Sequence, residues 1–136
     1  MSKLNPVGII VASLAFYFVG FLWYGFLFSD AWMGAHGVTA EDAKGESPVW
    51  MAGGFLITVV QVIGLAIVLR WKGAASPTAA ATTAATLWCF FALPFSLYNY
   101  IYLPSHGAIL LQVDASHLLV GWIVAAITLS FFKPRG

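Results

Sequence analysis

Four stretches of the chain are almost continuously apolar, and polar residues gather in the gaps between them. An α-helix rises about 1.5 Å per residue, so about 20 apolar residues cross the roughly 30 Å of a bilayer's hydrocarbon. The pattern predicts spans at about 6–28, 48–69, 76–100 and 108–132, within a single transmembrane domain covering 1–136. Pro6 and Pro48 sit where the first two spans open, a position at which the missing N–H would have no helical partner anyway. The second span closes on Arg70-Trp71-Lys72-Gly73, cations followed by a stop residue. Pro94 inside the third predicts a kink that frees the carbonyl of Phe90. Leu103-Pro104-Ser105-His106-Gly107 reads as a short turn, and the fourth span ends at Lys133-Pro134-Arg135. The expected fold is an all-α integral membrane protein, four transmembrane helices in a bundle, with a polar outer loop over 29–47 between helices one and two.

Composition makes lipid the required solvent. Of 136 residues, 61% are hydrophobic and 8% charged, and the mean hydropathy is +0.90. Soluble domains carry about 25% charged residues, and a chain this short could not hide so much apolar surface in a core of its own. A net charge of +1 supplies no field for nucleic acid. The single cysteine, Cys89, excludes an intrachain disulfide and a Cys-x-x-Cys redox motif. Lys3 followed by an apolar run imitates a signal peptide, but the run is long, rich in bulky aromatics and without a small-x-small cleavage site, so it is read as a retained first span.

The Lys/Arg bias orients the spans. With the N-terminus in the cytoplasm, Lys3, Arg70, Lys72, Lys133 and Arg135 lie inside and only Lys44 lies outside, five against one. Both termini are then cytoplasmic. Trp23, Tyr24, Trp32 and Trp50 fall near the outer interface and Trp71 at the inner one, as aromatic anchors do. For Trp23 and Tyr24 a docking surface for a partner or apolar ligand is the alternative.

Asp114 is the residue that most needs a reason. It stands about six residues inside the fourth span, where a carboxylate costs about 2.5–3.5 kcal/mol on the insertion scale, so it should face protein or water, or be protonated. His117 is three residues on, on the same face, which continues through Leu110, Gly121, Ala125 and Thr128 as a polar and small stripe. Leu111, Leu118, Trp122 and Leu129 are then expected to face lipid. Depth arithmetic brings Gln61, Thr86 and Tyr17 to the midplane as partners, making Asp114, His117, Gln61, Thr86 and Tyr17 a candidate buried polar site. Such a cluster can be a proton relay or small-ligand site, can simply bond the helices together, or can let Asp114 reach interfacial water. A metal held by Asp114, His106 and His117 matches no spacing rule, bis-histidine haem lacks a second intramembrane histidine, and neither metal nor cofactor is expected. A single axial ligand from His117 to a haem or pigment stays open. Gly8-x-x-x-Ala12, Gly54 with Gly64, and Gly121-x-x-x-Ala125 are small-residue faces of the kind that let helices approach in lipid. The third span, small on every side over 79–86, points to a central position or a subunit contact, or to alanine bias alone.

Phe18-Val19-Gly20-Phe21-Leu22-Trp23-Tyr24, then Leu27-Phe28, Ala31-Trp32-Met33 and Val38-Thr39-Ala40-Glu41-Asp42, resemble the opening signature of a bacterial membrane family catalogued as domain of unknown function 1761. The resemblance is carried by residues 15–45; Trp88-Cys89-Phe90-Phe91 matches a third-span element in part. It implies a four-helix fold in a bacterial inner membrane and no particular activity. The function expected is non-catalytic: association within the lipid bilayer, as a homo-oligomer or with another membrane protein, and no role with nucleic acid. A small oligomeric transporter or channel using Asp114 and His117 is the alternative, and a lipid- or quinone-directed enzyme ranks below both.

Overall fold

The computed structural model describes residues 4–36, 48–103 and 107–132, apart from the side chains of Trp32, Ala35, His36, Pro48 and Trp50. The acidic part of the first connection (Glu41, Asp42, Glu46, with Lys44) lies outside the described residues, as do Lys3, His106, Lys133 and Arg135. The described elements are α1 (Pro6–Leu22), a π-helical turn (Trp23–Leu27), α2 (Ser29–His36), α3 (Pro48–Lys72), α4 (Pro77–Leu87), a second π-helical turn (Trp88–Ala92), α5 (Leu93–Tyr102) and α6 (Ala108–Ser130). No strand occurs among the described residues. Four helical stretches are long and apolar enough to cross a membrane: Pro6–Leu27, Met51–Lys72, Pro77–Tyr102 and Ala108–Ser130.

Local chemistry sets the helix ends. Asn5 caps α1, its Oδ1 accepting from the N–H groups of Val7 and Gly8 at 3.0 and 3.2 Å, with Pro6 in the first turn. Ser76 caps α4 in the same way, from Ala79 at 3.1 Å. α3 runs three residues past the expected 69 because Arg70 and Lys72 favour a helix C-terminus. It stops at Gly73, whose φ of +72° is open to glycine and strained for other residues. The Gly73 N–H reaches Arg70 O at 3.1 Å and the Ala74 N–H reaches Leu69 O at 2.9 Å, a Schellman motif.

Pro94 does not produce a simple kink. The turn before it widens into the π-helix, where the Leu93 N–H bonds the Trp88 carbonyl five residues back. A wider turn relieves the clash between a proline ring and the carbonyl four residues earlier. The first π-turn closes likewise, Phe28 N–H to Trp23 O at 2.8 Å.

α6 is the central element. It packs against α1, α3, α4, α5 and α2, whereas α3 and α4 barely meet. This corrects the expectation of a central third span. It also corrects the lipid-facing assignment of Leu118, Trp122 and Leu129, which pack against the core of Ala12, Phe16, Val62, Leu65, Ala84 and Ala125. A helix with neighbours on three sides has little circumference left to show. The other spans turn bulky apolar side chains outward, including Ile10, Leu14, Phe18 and Phe21 on α1 and Leu56, Ile57 and Val60 on α3. Surface of that extent is rare on water-soluble monomers.

Phe16, 1% exposed, fits because Gly121 has no side chain: a Cβ there would lie 2.3 Å from the Phe16 ring. The rigid ring cannot step aside within a core, so Gly121→Ala should destabilise the protein by about 1–3 kcal/mol, the usual penalty of overpacking. Thermal unfolding in detergent checks this, and Phe16→Leu in the same chain should recover part of the loss.

Candidate polar site on the central helix

One ridge of α1, Gly8-Ala12-Phe16-Gly20-Tyr24 at four-residue spacing, runs along α6. Side chains four apart on a helix stack on one face, so the ridge carries Tyr24 into the bundle rather than to an interface. The Tyr24 hydroxyl donates to Asp114 Oδ1 at 2.5 Å. The Tyr24 ring meets the His117 imidazole edge-on, centroids 5.0 Å apart. Phe16 meets the same imidazole at 5.5 Å with the planes tilted by 46°. Gly20 leaves space between them, since a Cβ there would stand 3.1 Å from His117 Nε2.

Two indoles reach the same turn of α6. Trp23, beside Tyr24 in the first π-turn, donates from Nε1 to Ser116 Oγ at 2.9 Å. Trp88, first residue of the second π-turn, donates from Nε1 to the Ala115 carbonyl at 2.8 Å. The consecutive residues 114–117 therefore receive Tyr24, Trp88, Trp23 and the Phe16–Tyr24 pair in order. Successive residues point about 100° apart around a helix, so one turn can be gripped from the first and third spans at once. A third indole completes the set lower on α6, Trp122 Nε1 donating to Gln61 Oε1 of α3 at 2.8 Å.

The five residues expected to cluster are thus only partly together. Asp114 and His117 are adjacent, joined through Tyr24. Gln61 is engaged by Trp122, and its amide nitrogen lies 3.4 Å from the Ile57 carbonyl. Tyr17 turns to α3, donating to Met51 O at 3.3 Å and packing edge-on to Phe55. Thr86 is exposed and returns its hydroxyl to Thr82 O at 2.8 Å. Direction around each helix separates these residues.

Trp23 and Tyr24, expected as interface anchors, are half-buried against α6, because a donor inside hydrocarbon needs an acceptor and the nearest ones are on that helix. Continuing the Gly8–Ala12 face by three further steps of four would have found Tyr24. Ser116 and Trp88 carried no such signal. Trp71 is 80% exposed at the end of α3, and the side chains of Trp32 and Trp50 lie outside the described residues. Among the described residues no three of His, Cys, Asp and Glu come together in a way that could hold a metal ion. Beside Asp114 an open groove of about 470 Å³ runs along α5, lined by Phe95, Ser96 and Asn99 as well as Trp122.

Such a fold defines a class: an all-helical protein whose four long helices are apolar enough to cross a membrane, with polar contacts concentrated on one turn of a central helix. Within that class, the chain belongs to the family described as protein of unknown function (DUF1761), which matches residues 7–130. The match extends well beyond the segment 15–45 that carries the resemblance in sequence. No curated protein and no solved structure matches the chain.

If the indole bonds hold the bundle, Trp23→Phe and Ser116→Ala should be coupled in a double-mutant cycle. The expected coupling is about 0.6 kcal/mol and at most about 1.7 kcal/mol, the range of interhelical hydrogen bonds in membranes. Reversible unfolding in mixed micelles measures it, and strictly additive losses would remove this bond from the stabilising set.

Proposed function

We propose that the protein is a non-catalytic, multi-pass membrane protein that acts by association, as a homo-oligomer joined through its third span. The observation that carries the reading is the outward face of α4. Thr78, Thr82, Thr86 and, past the α4 end, Cys89 follow one another at helical spacing and are all exposed. The hydroxyls of Thr82 and Thr86 are folded onto carbonyls of their own helix, each at 2.8 Å, so at these two positions the face offers small groups whose donors are already engaged. α1 and α3 present phenylalanine, leucine and isoleucine at the corresponding outward positions. Against lipid a bulky surface packs well and a smooth one packs poorly, while two smooth helices approach closely. In this reading the chain sits in a bacterial inner membrane with both termini cytoplasmic, supported by the five-to-one division of Lys and Arg between its ends.

Cys89, the lone cysteine and exposed, makes the test possible without engineering. Treating native membranes with a short bis-maleimide should give a covalent dimer, absent from Cys89→Ser and reduced in Thr82→Leu and Thr86→Leu. A chain that reacts with a monofunctional maleimide yet stays monomeric under the cross-linker would end the self-association reading. A defined adduct with a different protein would replace it with an accessory-subunit role.

A second reading, a small oligomeric transporter or channel with a proton or cation site, is favoured by the Tyr24–Asp114–His117 contacts beside an open groove. It predicts proton flux in proteoliposomes that Asp114→Asn abolishes while oligomer size is unchanged. Equal flux from both proteins, or none from the native one, discards it.

A further inference from the structure

At the end of the bundle where α1 begins and α3 and α6 finish, a cavity of about 270 Å³ opens between these helices. Ile9 and Leu4 from the first span, Leu69 from the second and Leu129 and Phe132 from the fourth make its walls apolar. The Schellman turn at Gly73 forms part of its rim. One charged side chain lines it, that of Arg70, which is half-buried. No hydrogen bond or ion pair engages the Arg70 guanidinium among the described residues, whereas Lys72 next to it in the chain is taken up by the Thr83 hydroxyl at 3.1 Å.

Among the described residues no Asp or Glu side chain stands near Arg70 at this end. Of the two described acidic residues, Asp30 belongs to α2 and Asp114 to the opposite half of α6. The residues flanking the cavity in the chain are instead cationic, with Lys3 preceding Leu4 and Lys133 and Arg135 following Phe132. A guanidinium stays charged at any ordinary pH and forms its best bonds with planar or tetrahedral oxyanions. An apolar cleft beneath a guanidinium that has no partner among the described residues matches an amphiphile with a phosphate head and a hydrocarbon tail.

We propose that this cavity binds one anionic phospholipid, its phosphate on Arg70 and an acyl chain between α1 and α6 along Ile9, Leu129 and Phe132. The site is independent of how the chain associates, because the cavity is bounded by the first, second and fourth spans and the small face of α4 lies on the third. Occupancy would tie the start of α1 to the ends of α3 and α6, which otherwise meet there around open space.

Delipidated full-length protein, titrated in neutral detergent with phosphatidylglycerol or with phosphatidylcholine of the same acyl chains and followed by native mass spectrometry, tests this. The expected result is one tightly retained phosphatidylglycerol and no comparable retention of phosphatidylcholine. Arg70→Gln should weaken retention about fivefold, the effect of losing one cation facing an anionic lipid, and Arg70→Lys should keep the preference for the anionic lipid. Leu129→Trp, which fills the cleft without touching the charge, should expel the lipid from a protein that still folds, as a cooperative thermal unfolding in detergent reports. Equal retention of both lipids, an equal loss from Lys72→Gln, or binding of soluble glycerophosphoglycerol as tight as that of the lipid would each overturn the assignment.

Discussion

Inside hydrocarbon no water is available to satisfy a polar group, so each one must find its partner within the protein. In this chain that requirement converges on residues 114–117 of the central helix. A carboxylate, a peptide carbonyl, a hydroxyl and an imidazole stand there on consecutive residues, and Tyr24, Trp88, Trp23 and Phe16 arrive to meet them. Because the four residues circle the helix, meeting them all demands neighbours on more than one side. The central position of α6 follows from that. So does the role of the tryptophans: each of the other spans is linked to α6 by one indole N–H, from Trp23, Trp88 and, in the reverse direction, Trp122 to Gln61.

The π-turns belong to the same arrangement. Each begins at one of the tryptophans that bond the turn 114–117. An extra residue in a helical turn shifts the register of everything beyond it, which is one way a side chain is re-aimed without ending the helix. In the third span Pro94 supplies the local cause. In the first no proline is present, and the contacts of Trp23 and Tyr24 with α6 hold the widened turn. Close approach is secured by small residues at the crossing: Gly121 beneath Phe16, Gly8 beneath Phe132 and Gly20 against His117.

Seen from outside, the bundle is not uniform. α1 and α3 are clothed in bulky side chains suited to acyl chains, the outward side of α4 is smooth, and the end carrying Arg70 and Lys72 encloses an apolar cleft with a guanidinium on its wall. These differences lie at the periphery, while the centre is occupied by bonds between helices. The surface therefore varies from span to span, while the core is held by one set of bonds centred on α6.

Much of the fold was legible from residue order alone. The number and length of the spans depend on runs of apolar residues, a property of the chain read locally, and the start at Pro6 and the stop at Gly73 are equally local. Family membership was visible in the segment around Trp23 and Tyr24. The weight given to Asp114 and His117 also came from sequence, since polar groups at that depth stand out against their surroundings. What only the tertiary structure decided was rotation and neighbourhood: that α6 and not the third span is central, that Trp122 turns to Gln61, that Tyr17 and Thr86 stand apart from Asp114, and that Tyr24 supplies its hydroxyl partner. In water the contrast between apolar and polar faces tells which way a helix turns. In lipid both the neighbours and the solvent are hydrocarbon, that contrast almost vanishes, and orientation is set by hydrogen bonds and close fits between residues far apart in the chain.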